Sequence, residues 1–241
     1  MQANTRGIVL HAIPYNDNYA IVAVYTEAFG RVSYLVPRNR RRKSTVQKAL
    51  FMPLAVLDME VEHLPKRDLH RIKECRFCFP QTETFCHPVK NMLALFLAEV
   101  LFRTVRNTEA DAPLFHYLYN SVALLETLDK GVANFHIVFL FQLLHYLGIY
   151  PDTRLQREGL YFDLLNGEFT SSLPTHPHYL SPEESRVLAR LLRISFENMS
   201  LYGFSRQDRV RIIRRIIEYY RLHLPDFPEI KSLDILQTIF D

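Results

Sequence analysis

Seven glycines in 241 residues are the tightest constraint this sequence carries. They stand at positions 7, 30, 131, 148, 159, 167 and 203, so no two lie closer than eight residues. A loop that wraps a phosphate needs glycines much nearer together, because its backbone must bend tightly around the anion. The dinucleotide fingerprint, the Walker loop, the kinase glycine loop and the G-x-S-x-G nucleophile elbow are all missing. The large nucleotide-using enzyme classes lose most of their ground.

With 48% hydrophobic and 23% charged residues, the chain has the composition of a globular protein of one large or two small domains. Its most apolar stretch, Met92 to Phe102, is interrupted by Glu99 and falls short of the ~20 residues that cross a bilayer. Three cysteines make no disulfide framework. No export signal opens the chain, and a cytoplasmic location is expected.

Residues 1–80 read as strands: Thr5 to Ile13, Tyr19 to Thr26, Arg31 to Pro37, Phe51 to Glu62 and Leu69 to Phe77. Turn signals separate them at Tyr15–Asn18, at Phe29-Gly30, at a basic run and at Leu64–Asp68. Five short strands in so little chain suit a small closed barrel, for which the OB-fold is the commonest pattern. After Pro80 the period changes to that of helices over Val89–Val105, Pro113–Leu128 and Ala133–Leu147. A hairpin is expected over Leu160–Phe169 with Asn166-Gly167 at its tip. Ser181-Pro182-Glu183-Glu184 opens a further helix as a capping box. A long helix follows over Ser205–Leu222, and a short one over Ser232–Phe240. The expected class is α+β: a five-stranded OB-fold barrel over 1–80, then a mainly helical domain over 81–241 with a hairpin insertion at about 155–178. Charge divides at the same point. Residues 1–80 hold 13 Lys and Arg against 7 Asp and Glu, whereas 81–241 hold 16 against 19.

The sharpest local feature is Arg38-Asn39-Arg40-Arg41-Arg42-Lys43, five positive charges in six residues between two expected strands. Such crowding costs repulsion unless an anion arrives, and nucleic-acid phosphates are the common polyanion of the cytosol. Arg31, and Lys66 and Arg67 in the turn before the fifth strand, add to the same charge. Tyr34, Phe29 and Phe51 lie on the flanking strands, where bases stack in sites of this kind, and Tyr34 is the expected stacking ring. The competing reading is a solvated loop that guards a barrel edge. On the Ser205 helix, Ile213, Ile216, Ile217 and Tyr220 form an apolar face, and Arg211, Arg214, Arg215 and Arg221 fall within an arc of about 120° on the other flank. That arc suits phosphates, an acidic peptide or plain solvent.

Three metal or redox readings are weaker. Cys75-x-x-Cys78 followed by Cys86-His87 lacks the two close pairs of a structural zinc site, and strand geometry sends residues 75 and 78 to opposite faces. Asp58, Glu60 and Glu62 alternate on one strand as in some metal-dependent nucleases, but Arg71 and Lys73 on the next strand offer cross-strand partners. His176 and His178 lie in a Pro-rich loop and read as surface residues.

The order of features also resembles a family. Gly7-Ile8-Val9-Leu10, Tyr25-Thr26-Glu27-Ala28-Phe29-Gly30-Arg31-Val32, the basic run ending Arg42-Lys43-Ser44, the stretch from Phe135 to His145-Tyr146-Leu147-Gly148-Ile149-Tyr150-Pro151-Asp152, and Lys231-Ser232-Leu233 together resemble the bacterial RecO family. The resemblance implies a nucleoid-associated recombination mediator in DNA repair rather than an enzyme. Such proteins bind single- and double-stranded DNA, anneal complementary strands, and work with RecR to load RecA onto DNA coated by single-stranded-DNA-binding protein (SSB), whose acidic C-terminal tail they engage. The resemblance places Arg31, Arg38 and Arg40 to Lys43 in the DNA-contacting barrel region. Two departures stand out. Many members carry two C-x-x-C pairs that bind zinc after the G-x-x-P stretch, whereas nothing between Pro151 and Asp241 here is a cysteine, so neither zinc nor another cofactor is expected. The family often has a glycine before its basic loop, where this chain has Arg38-Asn39. A generic OB-fold module for single-stranded nucleic acid shares the barrel but not the annealing, and a metal-dependent nuclease built on Asp58, Glu60 and Glu62 is the remaining alternative.

Overall fold

Alternation of inward and outward side chains drives the first third of the chain into strands. β1 (Gln2–Pro14), β2 (Tyr19–Thr26), β3 (Gly30–Pro37), β4 (Val56–Glu62) and β5 (Leu69–Phe77) close into a barrel in the order β1-β2-β3-β5-β4. The structure is a computed structural model that describes residues 2–38, 49–64, 67–106 and 108–239. Every pairing is antiparallel except β3 with β5, which run parallel over Ser33–Leu35 and Leu69–Arg71. This is the OB-fold topology, and closure leaves no free edge to aggregate. Val9, Val22, Val24, Val32, Tyr34, Val36, Leu57, Met59 and Val61 fill the interior. Gly7 belongs to the same inward row; a Cβ there would collide with the Met59 and Val24 side chains, so the barrel closes only around a bare backbone.

The fourth strand starts later than expected. Met52-Pro53-Leu54 makes a turn, with Leu54 in the left-handed region (φ 61°), and the strand begins at Val56. Proline has no N–H to give a ladder, and Gln81 takes over the pairing. Its side chain accepts from Val56 N (2.7 Å) and donates to the Leu54 carbonyl (3.0 Å).

The helices are α1 (Thr82–Cys86), α2 (Pro88–Thr104), α3 (Ala112–Thr127), α4 (Val132–Tyr146), α5 (Pro182–Leu191), α6 (Arg206–His223) and α7 (Ser232–Ile239). α1 is too short to leave a periodic signal in the sequence. The chain divides into two compact units. One holds the barrel, α1 to α3 and the segment from Ile230 to Ile239; the other spans Asp129 to Glu229. In the first unit, Glu126 accepts from the backbone N–H groups of Glu83 and Thr84 (both 2.8 Å), capping α1. Glu99, the charge that interrupts the apolar run of α2, accepts from the N–H groups of Lys231 (3.1 Å) and Ser232 (2.9 Å) and so fixes the start of α7.

In the second unit α4 is buried on nearly every side, through Phe135, Ile137, Phe139, Leu140, Phe141 and Leu144 among others. Ile213, Ile216, Ile217 and Tyr220 of α6 are buried as their spacing predicts, and Tyr220 donates its hydroxyl to the Leu140 carbonyl (2.8 Å). Both α5 and α6 open with complete capping boxes, Ser181 with Glu184 and Ser205 with Asp208. The small sheet has the order β7-β6-β8, from β6 (Tyr161–Asp163), β7 (Glu168–Thr170) and β8 (Tyr179–Leu180). Its hairpin does not turn on Asn166-Gly167 alone. Residues 164–167 form a four-residue loop, because the Asp163 carboxylate accepts from Leu165 N (2.8 Å), Asn166 N (2.9 Å) and Asn166 Nδ2 (2.8 Å).

Candidate nucleic-acid interface

Because inward and outward residues alternate, β1 to β3 present ordered rows on the outside of the barrel. Ile13 pairs with Ile21, Ile21 with Leu35, and Leu35 with Arg71, making one outward row across four strands. Tyr19 lies opposite Pro37 at the end of the same face. Ile13, Tyr15 and Tyr19 are exposed, at 44%, 61% and 39%. In OB-folds the strand 2–3 face with the β1–β2 and β4–β5 loops is where oligonucleotides bind. Here that face is apolar and aromatic, and cations edge it.

The β1–β2 turn is closed by its own hydrogen bonds. Asn16 Oδ1 accepts from Asn18 N and Tyr19 N (both 2.9 Å), and Tyr15 N donates to the Tyr19 carbonyl (3.0 Å). Arg38 is fastened to it twice: its N–H donates to the Asn18 carbonyl (2.6 Å) and its Nη1 to the Asn16 carbonyl (3.1 Å). Arg38 as a residue stays exposed. Arg38 is the described end of the basic run; Arg40, Arg41, Arg42 and Lys43 lie outside the described residues, as does Lys66. Arg67 is exposed in the β4–β5 loop. That loop leaves the barrel over a stack of Phe29, His63 and His70, with centroids 4.2 and 4.3 Å apart. Burial lowers the pKa of both histidines, and neutral His70 accepts from Leu64 N through Nδ1 (3.1 Å).

Two residues expected at the interface are elsewhere. Tyr34 is wholly buried in the barrel, its phenol pushed well above the ordinary range by desolvation, so its ring offers no face to a base. Phe29 and Phe51 also pack against the interior. The parity of Val32-x-Tyr34-x-Val36 marks Tyr34 as inward, and the same parity in β2 marks Tyr19 as outward; that is the usable signal. Arg31 is also spoken for. Its Nη1 donates to the Phe102 and Val105 carbonyls (2.9 and 3.4 Å), and its guanidinium lies 4.1 Å from the Phe102 ring centroid. It satisfies the exposed carbonyls at the end of α2, where a cation is favoured.

The acidic row on β4 is engaged with its neighbours, though in a different register from the expected one. A bulge between Glu60 and Val61 leaves Lys73 out of the ladder. Asp58 therefore pairs with Arg76 (2.8 Å), Glu62 lies opposite Arg71, and Glu60 lies opposite Glu74 and accepts from Gln2 (3.3 Å). Among the described residues no group of three or more His, Cys, Asp or Glu is placed to hold a metal. Cys75 packs against the barrel core, Cys86 is exposed, and burial raises the Cys78 thiol to about 11.

The second unit carries an apolar groove of about 280 Å³, walled by Phe141, Leu144, Leu188, Phe204, Ile212 and Ile216. Arg190, Arg211 and Arg215 stand on its rim with Glu183, Glu184 and Asp208. The arginines of α6 are not equivalent. Arg211, Arg214 and Arg221 are exposed, but Arg215 is held by Glu184 (2.9 Å) and Glu218 (2.9 Å). His178 joins the same chain through Glu218 (2.9 Å), and His176 contacts Asp163 (3.2 Å). Both histidines stitch their loop to the unit instead of lying loose on the surface.

Comparison with known proteins fits this architecture. The family "Recombination protein O N terminal" matches residues 1–80, and "Recombination protein O C terminal" matches residues 87–234. The chain is 46% identical to the DNA repair protein RecO of Bacteroides fragilis and 44% identical to that of Phocaeicola vulgatus, over 100% of both chains in each case. At greater distance it is 31% identical to the DNA repair protein RecO of Flavobacterium psychrophilum, again over 100% of both chains. Among the described residues no helix is long and apolar enough to cross a membrane. Resemblance in short motifs, a closed OB barrel followed by a helical part, and full-length identity lead to one assignment: the chain belongs to the RecO family of DNA-repair recombination proteins, mediators rather than catalysts.

Proposed function

We propose that this chain binds single- and double-stranded DNA on the outer face of its barrel, anneals complementary strands and, with RecR, helps RecA replace SSB on single-stranded DNA. The observation that carries the reading is the open β1–β2–β3 face, where Tyr15, Tyr19 and Ile13 are exposed beside an Arg38 pinned to the β1–β2 turn. Arg38, Arg40, Arg41, Arg42, Lys43, Lys66 and Arg67 supply the phosphate contacts, and Tyr15 and Tyr19 the stacking surfaces. Annealing follows from charge. Two strands repel, and a protein that screens both phosphate chains lowers the cost of their approach. Stacking and backbone contacts carry little sequence information, which suits a protein that must act on any sequence.

The groove of the second unit is the proposed seat of the SSB tail. Its apolar wall suits the hydrophobic end of a short acidic peptide, and Arg190 and Arg211 on the rim suit its carboxylates. This activity belongs to the cytoplasm, at the nucleoid. The test is binding of a labelled single-stranded oligonucleotide across a salt series, followed by annealing of complementary strands. Arg40→Ala/Arg41→Ala/Arg42→Ala/Lys43→Ala lowers the log–log salt slope by roughly 0.7 for each phosphate no longer neutralised, so about two units or more. An unchanged slope removes the basic run from the interface. Binding without annealing favours the generic OB-fold module.

A further inference from the structure

A second cleft in the 129–229 unit is lined by arginines and shares only Arg190 with the groove described above. It encloses about 520 Å³, and Arg157, Arg186, Arg190 and Arg193 all line it, against one carboxylate, Glu158. All four arginines are exposed. Among the described residues Arg157, Arg186 and Arg193 form no ion pair; Arg186 only biases the exposed Glu183 from a distance. This is unlike Arg154, which is chelated by Asp152, and unlike Arg215. Arg190 also faces Asp208 across the neighbouring groove, but Arg157, Arg186 and Arg193 crowd one concavity whose lining holds a single carboxylate, an electrostatic cost that an anion relieves.

The spacing narrows the anion. Arg186 and Arg190 are four residues apart on α5, and Arg193 follows three residues later in the turn that continues it, its N–H bonded to the Arg190 carbonyl (3.1 Å). Residues at i, i+4 and i+7 share one helix flank and span about 10 Å at about 1.5 Å per residue. That matches the axial rise of about three nucleotides of one strand, at about 3.4 Å each. Guanidinium forks suit phosphate oxygens. Ser185 also lines the cleft; it is 5% exposed and its hydroxyl has no hydrogen-bond partner. Tyr202 forms part of the wall, with the Arg190 guanidinium 5.7 Å from its ring centroid.

We infer that this arginine cleft is a second phosphodiester-binding site, which holds a stretch of about three nucleotides by its backbone. It draws on the nucleic-acid reading above for its ligand, and on its own geometry for its location. A protein that brings two strands together needs somewhere to hold the second, and a row of backbone contacts without base readout does so for any sequence.

The test uses the full chain and a labelled oligo-dT. Arg186→Gln/Arg193→Gln removes two charges that form no ion pair among the described residues and spares Arg190, which the apolar groove shares. It lowers the salt slope by about 1.4, so a fourfold rise in salt weakens the variant roughly sevenfold less than the wild type. Phenylglyoxal modification, read by peptide mass spectrometry, gives the location: saturating oligo-dT protects Arg186 and Arg193, and high salt abolishes the protection. Equal modification with and without oligo-dT, together with an unchanged slope, overturns the site. If Arg38→Gln/Arg67→Gln flattens the slope in that case, the barrel reading survives and only the cleft falls. If the wild type shows no salt-dependent binding, both fall. Protection by a poly-glutamate peptide but not by oligo-dT overturns the proposal in favour of an acidic protein partner.

Discussion

The contrast between Tyr34 and Tyr19 gives the most discriminating test of how the barrel is used. Tyr34 is fully buried and its hydroxyl has no hydrogen-bond partner, so the fold carries a desolvated polar group with nothing in return. An unsatisfied buried group costs about 1–3 kcal/mol. Tyr34→Phe removes that hydroxyl and leaves the ring packing against Val32 and Val36 unchanged, so it stabilises the barrel by about 1 kcal/mol. A thermal midpoint shift of about 2–4 °C is expected for a chain of this size. Oligonucleotide binding does not change, because the ring never reaches solvent. Tyr19→Ala does the opposite. With 39% of the residue exposed, truncation costs little core packing. It removes a stacking surface worth about 1–3 kcal/mol per base, which is roughly 5- to 150-fold in Kd. Urea unfolding and fluorescence anisotropy with a labelled oligo-dT on both variants decide the matter. A loss of stability in Tyr34→Phe shows that the hydroxyl is satisfied after all. Weaker DNA binding by Tyr34→Phe, or unaltered binding by Tyr19→Ala, refutes the assignment of inner and outer faces to function.

Gly7→Ala drives a methyl into Met59 and Val24, and overpacking of this kind costs about 1–3 kcal/mol, less up to ~1 kcal/mol regained from reduced chain entropy; urea melts of Gly7→Ala in wild type and in Met59→Ala measure it, and relief by the smaller partner is the expected signature. His136 is buried at 2% exposure, and desolvation lowers its pKa to about 3, with Arg209 adding to the effect. The unfolded chain takes up a proton near pH 6.5 and the folded chain does not. Stability therefore falls by about 1.4 kcal/mol for each pH unit from 6.5 down towards 3, and His136→Leu flattens the dependence in melts at pH 7 and pH 5. Arg31→Met leaves the Phe102 and Val105 carbonyls without their donor and destabilises by about 1–3 kcal/mol. At matched folded fraction its DNA affinity stays at the wild-type value, and a large loss would return Arg31 to the interface.

Local patterns made much of the fold readable. The two-residue period of Tyr19–Thr26 and Leu69–Phe77 marks both strands to the residue, and Ser181-Pro182-Glu183-Glu184 forms the capping box its spelling implies. The apolar face of α6 is equally plain, because a 3.6-residue repeat shows wherever a helix buries one side. Even the misplacement of Tyr34 had its correction in the same strand, since Val32 and Val36 share its parity. The proposed interface was legible as charge, in Arg38 and its neighbours, and not as shape.

Element type, the inward or outward parity of each strand residue, helix caps and the excess of cations before Pro80 all depend on residues close along the chain, and so could be read from it directly. Tertiary structure alone decided register, coverage and partnership. The bulge at Glu60 is one extra residue, yet it pairs Asp58 with Arg76 and strands Lys73. Arg31 became an anchor for the end of α2, which lies 71 residues further along. Glu99 looked like a break in an apolar run until the chain returned, 133 residues later, to place Ser232 against it. Arg157 joins Arg186, Arg190 and Arg193 only because residues 156–159 line the same cleft as α5. A side chain's partner is set by which backbones close on one another, and that depends on the packing of the whole unit, which no window of neighbouring residues contains.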